Sequence, residues 1–268
     1  MGTRIKIKNV DFSMCGMGIV TDKAAQLSER VQRFVDKYNS YDVISEQNVF
    51  ALSNLDKALE SVYGKIRAFY PFIGTKSSTL GLDLINPNVA LQGMPAKTSD
   101  VYVPNNIPIT VQTDSSFYKN IGAIVYNNAP VETSGNIDTI LRSADWFNMW
   151  SKITTKDYHI YNAFQTGIYT NSGPSNFGAV ESVANGMLAF FAGEEKMVAY
   201  KEKAKYESIY AKDYLDDESV VKGTIKIGDT SFKNATPLSL VVITTGDVTD
   251  DEYLVMYNAI STFVKAKV

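Results

Sequence analysis

Residues 70–87, YPFIGTKSSTLGLDLINP, separate a helical pattern from a long series of strand patterns. Proline disfavours the α conformation in the residue before it and cannot donate a helical hydrogen bond, so Pro71 ends the preceding helix. Gly74 permits a sharp change of chain direction, and Phe72 and Ile73 supply apolar contacts that would hold such a corner. The stretch therefore predicts a junction between a helical segment and a β domain.

Two helical patterns precede this corner. The first places apolar residues from Leu27 to Tyr38 at helical spacing, and Thr21 or Asp22 is expected to cap it. The second opens at Ser45 and alternates spacings of three and four, the period of a helix–helix seam. Such a seam either packs on its own domain or joins copies of the chain into a dimer or trimer, and we expect the second. The predicted interface residues are Leu52, Leu55, Leu59, Val62, Ile66 and Phe69.

The pattern changes after Pro87. Short apolar or alternating runs, among them IGAIVY, GMLAFF, KMVAYK and LSLVVIT, recur between turn signals, as is typical of a sandwich or barrel. LSLVVIT is apolar enough for a central strand. Hairpin turns are predicted at residues 193–196 and 228–229. No internal repeat is visible.

A helix is predicted from about residue 250 onward. Thr249 and Glu252 form the T-x-x-E pattern of a capping box. The residues that follow place apolar side chains on one face of the helix, as required for packing on a core. These are Tyr253, Met256, Tyr257, Ile260, Phe263 and Val264.

Composition argues against several classes of protein. The net charge of −3 over 268 residues gives no basic field for nucleic acid or an anionic membrane. One cysteine, Cys15, permits no intrachain disulfide, and neither a secretion leader nor an apolar membrane span is visible. The chain has 16 Tyr and 13 Phe but only 1 His. This balance favours binding surfaces over hydrolytic or metal chemistry, so we predict no enzymatic activity and no cofactor.

The residues that could carry chemistry have simpler explanations. His159 could act as a general base, but no nucleophile motif accompanies it. The acidic cluster at 216–218 lacks the alternating ligand spacing of a calcium loop. The second cluster, 250–252, is explained by helix capping and the helix dipole. CGMG at 15–18 is a weak phosphate-loop pattern and is expected to give flexibility to an arm.

Recognition of a ligand is expected at loops, where sandwich proteins commonly bind. Two polar loops carry aromatic residues, and the candidate ligand contacts are Phe117, Tyr118 and Phe177. Trp146 and Trp150 would share one face of a short helix and are expected in the core.

Three stretches resemble one family. They are IKIKNVDFS at 5–13, YGKIRAFYPFIGTKSSTLGLDLINP at 63–87 and the segment 238–267. Together they are similar to virion proteins of crAss-like and other Bacteroidetes-infecting tailed phages. Residues 90–237 share with that family only the general pattern of short strands between turns. Leu80-Gly81 stands where a polar residue or histidine would be expected. The resemblance implies a concanavalin-A-like lectin jelly roll on a head or tail fibre, located in the virion after assembly in the host cytoplasm.

These patterns predict a mainly β protein, a concanavalin-A-like jelly-roll sandwich at 71–268 preceded by an α-helical oligomerisation stalk at 22–70 and an N-terminal anchoring arm at 1–21. The arm would dock on capsid or tail components through Ile5, Ile7 and Phe12. The jelly roll would project outward as a head-fibre or similar appendage with a glycan as candidate ligand. The alternative is a phage glycan-cleaving enzyme on the same fold.

Overall fold

A computed structural model shows two stacked β-sheets and a layer of helices. The predicted arm, with Ile5, Ile7, Phe12 and the CGMG motif, lies outside the described residues. The structure describes residues 27–94, 107–109, 120–128, 137–143, 147–156, 159–170, 173–176, 185–193, 196–209, 225–228, 234–235 and 238–268.

Hydroxyl side chains cap the three longer helices of the described residues. Ser28 Oγ accepts a hydrogen bond from the Val31 N–H, so the first helix begins after Ser28. Ser45, where the second helical pattern opens, caps the second helix, and the predicted capping box of Thr249 and Glu252 is confirmed. The helices are α1 (Glu29–Asn39), α2 (Glu46–Ala58), the short α3 (Ser77–Leu80) and α4 (Asp250–Ala266), with a 3-10 helix at Glu60–Lys65.

Sheet A has six strands in the order β1-β13-β3-β8-β9-β10, each antiparallel to its neighbour. The predicted turn between the eighth and ninth strands is confirmed by their antiparallel pairing. LSLVVIT is a central strand, buried along its whole length. The strands are β1 (Ile66–Tyr70), β3 (Ile121–Asn128), β8 (Asn185–Ala192), β9 (Lys196–Lys201), β10 (Ala204–Ile209) and β13 (Leu238–Thr244).

Sheet B follows the order β2-β11-β4-β5-β6-β7, and a short strand, β12, pairs with β4 in parallel. The hairpin predicted at 228–229 is wrong, because β11 pairs with the distant strands β2 and β4 instead. The short helix predicted around Trp150 is also wrong, since that residue lies inside β5. The strands are β2 (Ile107–Pro108), β4 (Ile137–Ser143), β5 (Phe147–Lys156), β6 (His159–Thr170), β7 (Gly173–Asn176), β11 (Lys226–Ile227) and β12 (Asn234–Ala235).

Buried apolar residues form one cluster on each face of sheet A. One face packs on residues of β2 and β11, such as Ile107 and Ile227, so sheet B lies on that side. The other face packs on α1, α2 and α4. The mainly β fold class is therefore confirmed, as a sandwich with a helical layer on the far side of sheet A.

The helices predicted to form an oligomerisation stalk form a layer of the folded chain instead. Their seam residues are buried in the core formed with sheet A and α4 of the same chain, so they do not form an exposed stalk. The apolar face of α2 is already satisfied within the chain, and the helices are a layer of the sandwich. The correction applies to all six residues predicted for the stalk interface, each of which is no more than 7% exposed. They are Leu52, Leu55, Leu59, Val62, Ile66 and Phe69.

The second helix also ends earlier than predicted. It stops at Ala58, and residues 66–70 pair with β13 as the edge strand of sheet A. The register shifts between Ile66 and Ala68, which indicates a β-bulge. A bulge adds one residue to the alternation, so Ile66 and Phe69 bury on the same face of the sheet. Two buried residues three positions apart in the sequence can therefore belong to a bulged strand, although the same spacing is typical of a helix.

The corner predicted at Pro71 joins the two cores. Phe72 packs in the cluster between the sheets and Ile73 in the cluster under the helices. Phe72 has a φ of 47° and Gly74 a φ of 87°. The Pro71 carbonyl accepts a hydrogen bond from Lys267 Nζ at 2.8 Å, so the end of α4 holds the corner in place.

Gly74→Ala is expected to destabilise the protein by about 2 kcal/mol, because left-handed backbone and a steric clash act together. An added Cβ would lie 2.2 Å from Tyr38 Oη and 2.8 Å from Thr79 Oγ1. Urea unfolding measures the loss. Tyr38→Phe in the Gly74→Ala background removes the clashing oxygen and should recover part of it. Equal stability of Gly74→Ala and the parent chain would contradict the clash.

The face predicted for the last helix is confirmed. Tyr253, Met256, Ile260 and Phe263 of α4 are buried against sheet A, while Tyr257 and Val264 are partly buried beside them. In the part of the chain that the structure describes, no helix combines the length and hydrophobicity needed to span a bilayer.

Candidate functional site

The residues proposed for ligand binding from the sequence lie outside the described ranges. This holds for Phe117, Tyr118 and Phe177, and also for Trp146 and the acidic cluster at 216–218. His159 is the first residue of β6, and Trp150 lies in the middle of β5. These two strands are neighbours in sheet B, so the register of that sheet decides which residues share a face.

The buried residues of β2 and β11 identify the faces of sheet B. Ile107 and Ile227 oppose each other and are buried in the core between the sheets. Ile227 also opposes Leu141, which in turn opposes Met149. Since directly opposed residues share one face of a sheet, this row belongs to the face that packs on sheet A.

The next row belongs to the opposite face, which we call the outer face of sheet B. Successive residues of a strand alternate between faces, so Lys226 and its register partners are on the outer face. Described side chains agree, because Pro108 is exposed and Lys226 is half-buried. Pairing across the sheet gives the row Pro108, Lys226, Arg142, Asn148, Gly167 and Asn176.

Alternation along β5 and β6 extends the outer face. Trp150 follows Asn148 by two residues and opposes Thr139 and Gln165. Further along, Thr154 opposes Tyr161 and Lys156 opposes His159. The remaining positions on this face, from register and alternation, are Ile137, Lys152, Ala163, Tyr169, Pro174 and Ala235.

The residue types on the outer face have a clear chemical character. The face carries the aromatic residues Trp150, Tyr161 and Tyr169 and the amide residues Asn148, Gln165 and Asn176. The basic residues are Arg142, Lys152, Lys156 and Lys226, and none of the residues that register places on this face is acidic. Aromatic rings offer flat apolar surface, amides both donate and accept hydrogen bonds, and cations attract carboxylates or sulfates. The combination suits a hydroxylated ligand that carries negative charge.

A second surface feature is a groove between α2 and α4. Its volume is about 330 Å³, and small residues contribute much of its lining, including Ala51, Ala58, Ala259 and Ala266. Phe50, next to this groove on α2, is 66% exposed. The groove lies on the side of sheet A away from sheet B, since both helices belong to that core.

A cluster of tyrosines and carboxylates connects α4 to the turn between β9 and β10. The Glu202 carboxylate accepts hydrogen bonds from Tyr257 Oη at 2.5 Å and from the Met187 N–H at 2.7 Å. Tyr253 and Tyr200 stack with their ring centroids 3.8 Å apart, and burial raises the pKa of both hydroxyls. They remain neutral hydrogen-bond donors.

Asp250 completes this attachment. Its carboxylate accepts hydrogen bonds from Tyr200 at 2.6 Å and from Lys205 at 2.8 Å, and these bonds, that from Lys205 first, lower its pKa. The cluster therefore docks α4 on sheet A. In the described ranges no group of three His, Cys, Asp or Glu side chains is arranged to hold a metal ion.

No family model matches the sequence, and no curated protein is significantly similar to it. Solved structures give weak matches. A Trypanosoma rangeli sialidase in complex with sialic acid matches with a TM-score of 0.46 and 11% identity, over 78% of this chain and 37% of the sialidase. Domain 4 of an extracellular arabinanase from Geobacillus stearothermophilus, in complex with arabinotriose, matches with a TM-score of 0.41 and 13% identity, over 73% of this chain and 98% of that domain.

These matches contradict the prediction that the chain is not an enzyme, because they are a sialidase and a domain of an arabinanase. That prediction rested on the single histidine, and a low histidine count does not exclude catalysis. We therefore drop the exclusion. At TM-scores below 0.5, the likeness itself assigns no activity to this chain.

Proposed function

We propose that this chain is a glycan-binding protein of a tailed-phage virion, and that the outer face of sheet B contacts the glycan. The observation that carries the proposal is the register row through Trp150. It puts an aromatic residue between Thr139 and Gln165, with Asn148 and Lys152 on the same face of the same strand. Aromatic stacking on a sugar ring, flanked by amides that hydrogen-bond hydroxyls, is a general way for proteins to hold carbohydrate.

The charge of the outer face defines the ligand further. Its basic residues lie on three neighbouring strands, β11, β4 and β5. A neutral sugar gains little from several cations, whereas the carboxylate or sulfate of an acidic polysaccharide pairs with them directly. We therefore propose an acidic surface polysaccharide as the ligand class.

The virion assignment is supported by the sequence resemblance at 5–13, 63–87 and 238–267. In this proposal the N-terminal arm docks on capsid or tail components, as a head-fibre or similar appendage would. Many copies on one particle would raise the avidity of a weak site. A purified particle should then contain the chain, which mass spectrometry of virions from a propagated phage would test.

Trp150→Ala is expected to weaken binding to an acidic polysaccharide by at least about tenfold, since truncating a central aromatic contact commonly costs more than 1 kcal/mol. The measurement is calorimetry or glycan-array binding with acidic polysaccharides and neutral ones of matched size. Tyr41→Ala is the matched control, because Tyr41 is an exposed aromatic residue beside α1. Circular dichroism confirms that both variants fold.

Three results would contradict the proposal: equal binding by the two variants, a preference for neutral polysaccharides, or no binding at all. The same incubations should be assayed for new reducing ends. Their release would support the alternative from the sequence, a phage enzyme that cleaves glycans on this fold.

A further inference from the structure

We infer that the groove between α2 and α4 is the contact surface of a two-fold dimer, in which Phe50 of each copy enters the groove of the other. Phe50 is 66% exposed and lies one turn before Asn54, a lining residue of the groove. Leu254, which is 38% exposed, lies one turn before Asn258 on the opposite wall. Both exposed apolar residues therefore flank the same groove, and covering them removes apolar area from water.

The groove and Phe50 complement each other. Alanines at positions 51, 58, 259 and 266 leave a depression of about 330 Å³ between the two helices, which is large enough for a phenylalanine ring. A two-fold interface uses the same patch twice, so a patch that carries both a protruding ring and a depression can pair with itself. Small residues also allow close approach of a facing helix, as in knobs-into-holes packing. A second copy of this chain is therefore the occupant that fits.

The ends of the groove set the direction of pairing. The two helices are antiparallel, because the Gln47 side chain donates to the Ala266 carbonyl at one end, while Lys65 pairs with Asp247 and Glu252 near the other. Phe50 lies toward the first end, and Ala58 toward the second. A two-fold axis across the helices brings Phe50 of one copy to the Ala58 end of the other.

The same arrangement pairs opposite charges at the rim. Lys265 lies in the last turn of α4 and Asp251 in its first turn, and both are exposed. Reversing the direction of α4 in the second copy puts Lys265 of one copy near Asp251 of the other. Such rim contacts add direction more than affinity.

This contact surface differs from the seam predicted from the sequence. The seam residues of α2 are buried in the core with sheet A, and only Leu55 among them also lines the groove. Phe50, Asn54 and Ala58 follow the opposite side of the helix. The dimer is independent of the proposed glycan site, because sheet A separates α2 and α4 from sheet B.

The test is sedimentation velocity of the full chain over a range of concentrations. We expect a monomer–dimer equilibrium whose dissociation constant rises at least about tenfold in Phe50→Ala, as for a central apolar contact. Ala58→Trp, which fills the groove without altering Phe50, should have a similar effect. Val43→Ala is the matched control, because Val43 is 86% exposed but is absent from the groove lining, and it should leave the constant unchanged.

A charge swap tests the direction of pairing. Asp251→Lys should weaken the dimer by about threefold, in the range of exposed ion pairs, and adding Lys265→Glu to the same chain should restore it. A monomer at every concentration, a trimer, or equal effects of Phe50→Ala and Val43→Ala would overturn the dimer. Loss of affinity without restoration by the double variant would overturn the antiparallel arrangement.

Discussion

Gly246→Ala is expected to destabilise the protein by about 3 kcal/mol or more, the upper end of the cost of forcing added atoms into a packed core. Gly246 is buried just beyond β13. A Cβ there would lie 1.9 Å from the Ala192 carbonyl oxygen and 2.8 Å from the Ile121 carbonyl oxygen. Both are backbone atoms of sheet A strands, so no side-chain rotation relieves the overlap. Either the chain after β13 or the ends of β3 and β8 must move.

Gly64→Ala is the matched control for this prediction. An added Cβ at Gly64 meets no atom within 4 Å, so we expect a change within about 0.5 kcal/mol, as for surface substitutions. Urea unfolding monitored by circular dichroism compares the two variants with the parent chain. A stable Gly246→Ala protein with an unchanged midpoint would show that the strand ends around Gly246 are not packed as described.

The sequence predicted the helix caps and the central strand of sheet A, because neighbouring residues in the chain determine both. The caps at Ser45 and Thr249 need only a hydroxyl and the following N–H groups, and the sequence shows both. Central strand β13 is apolar at five of its seven positions because it is buried on both faces, which a short apolar run indicates directly. The same logic fails for β1, where a bulge gives a strand the spacing of a helix.

Non-local pairing explains the other differences. Whether the Leu52–Leu55–Leu59 seam packs on sheet A or on a second copy of the chain cannot be read from the seam itself, because either surface requires apolar residues at these positions. Register decides the candidate site in the same way. Alternation in β5 and β6 is visible in the sequence, but the pairing of Trp150 with Gln165 and the link to buried Ile227 are not. Sequence patterns therefore paired Trp150 with Trp146 in a helix and left His159 by itself. They gave no sign of the basic residues on the same face of sheet B, including Arg142.

The second large effect concerns pH and Asp83, whose carboxylate closes the free edge of sheet A. Asp83 is 4% exposed, and its Oδ1 accepts hydrogen bonds from the Phe69 N–H at 2.8 Å and the Ile85 N–H at 2.9 Å. The Leu84 N–H donates to the Phe69 carbonyl at 2.8 Å. These bonds hold the segment after the corner against β1, so the edge strand gains partners that a neighbouring strand would otherwise supply.

Burial raises the pKa of Asp83 to about 6, against the opposing effect of its backbone hydrogen bonds. The folded chain therefore holds this proton more tightly than the unfolded chain, whose carboxyl has a pKa of 3.8. The stabilising effect of protonation is fully present below pH 3.8 and is lost as the pH rises through about 6. A shift of this size corresponds to about 3 kcal/mol between the two limits.

Asp83→Asn is expected to remove this pH dependence, because the amide oxygen still accepts both N–H groups but the side chain no longer ionises. Relative to the parent chain, the variant should gain about 2.4 kcal/mol of unfolding free energy between pH 4 and pH 7, because at pH 4 part of the unfolded chain's carboxyl is already ionised. Urea unfolding at several pH values measures the difference in stability between the two chains, and the contributions of all other titrating groups cancel in that difference.

Asp83→Ala separates the effect of charge from that of hydrogen bonding. This variant also has no titrating carboxyl, but it should be less stable than Asp83→Asn by about 2 kcal/mol at every pH, because two N–H groups lose their acceptor. Parallel pH curves for the parent chain and Asp83→Asn would mean that the carboxylate stays ionised in the fold, in which case its backbone donors outweigh its burial.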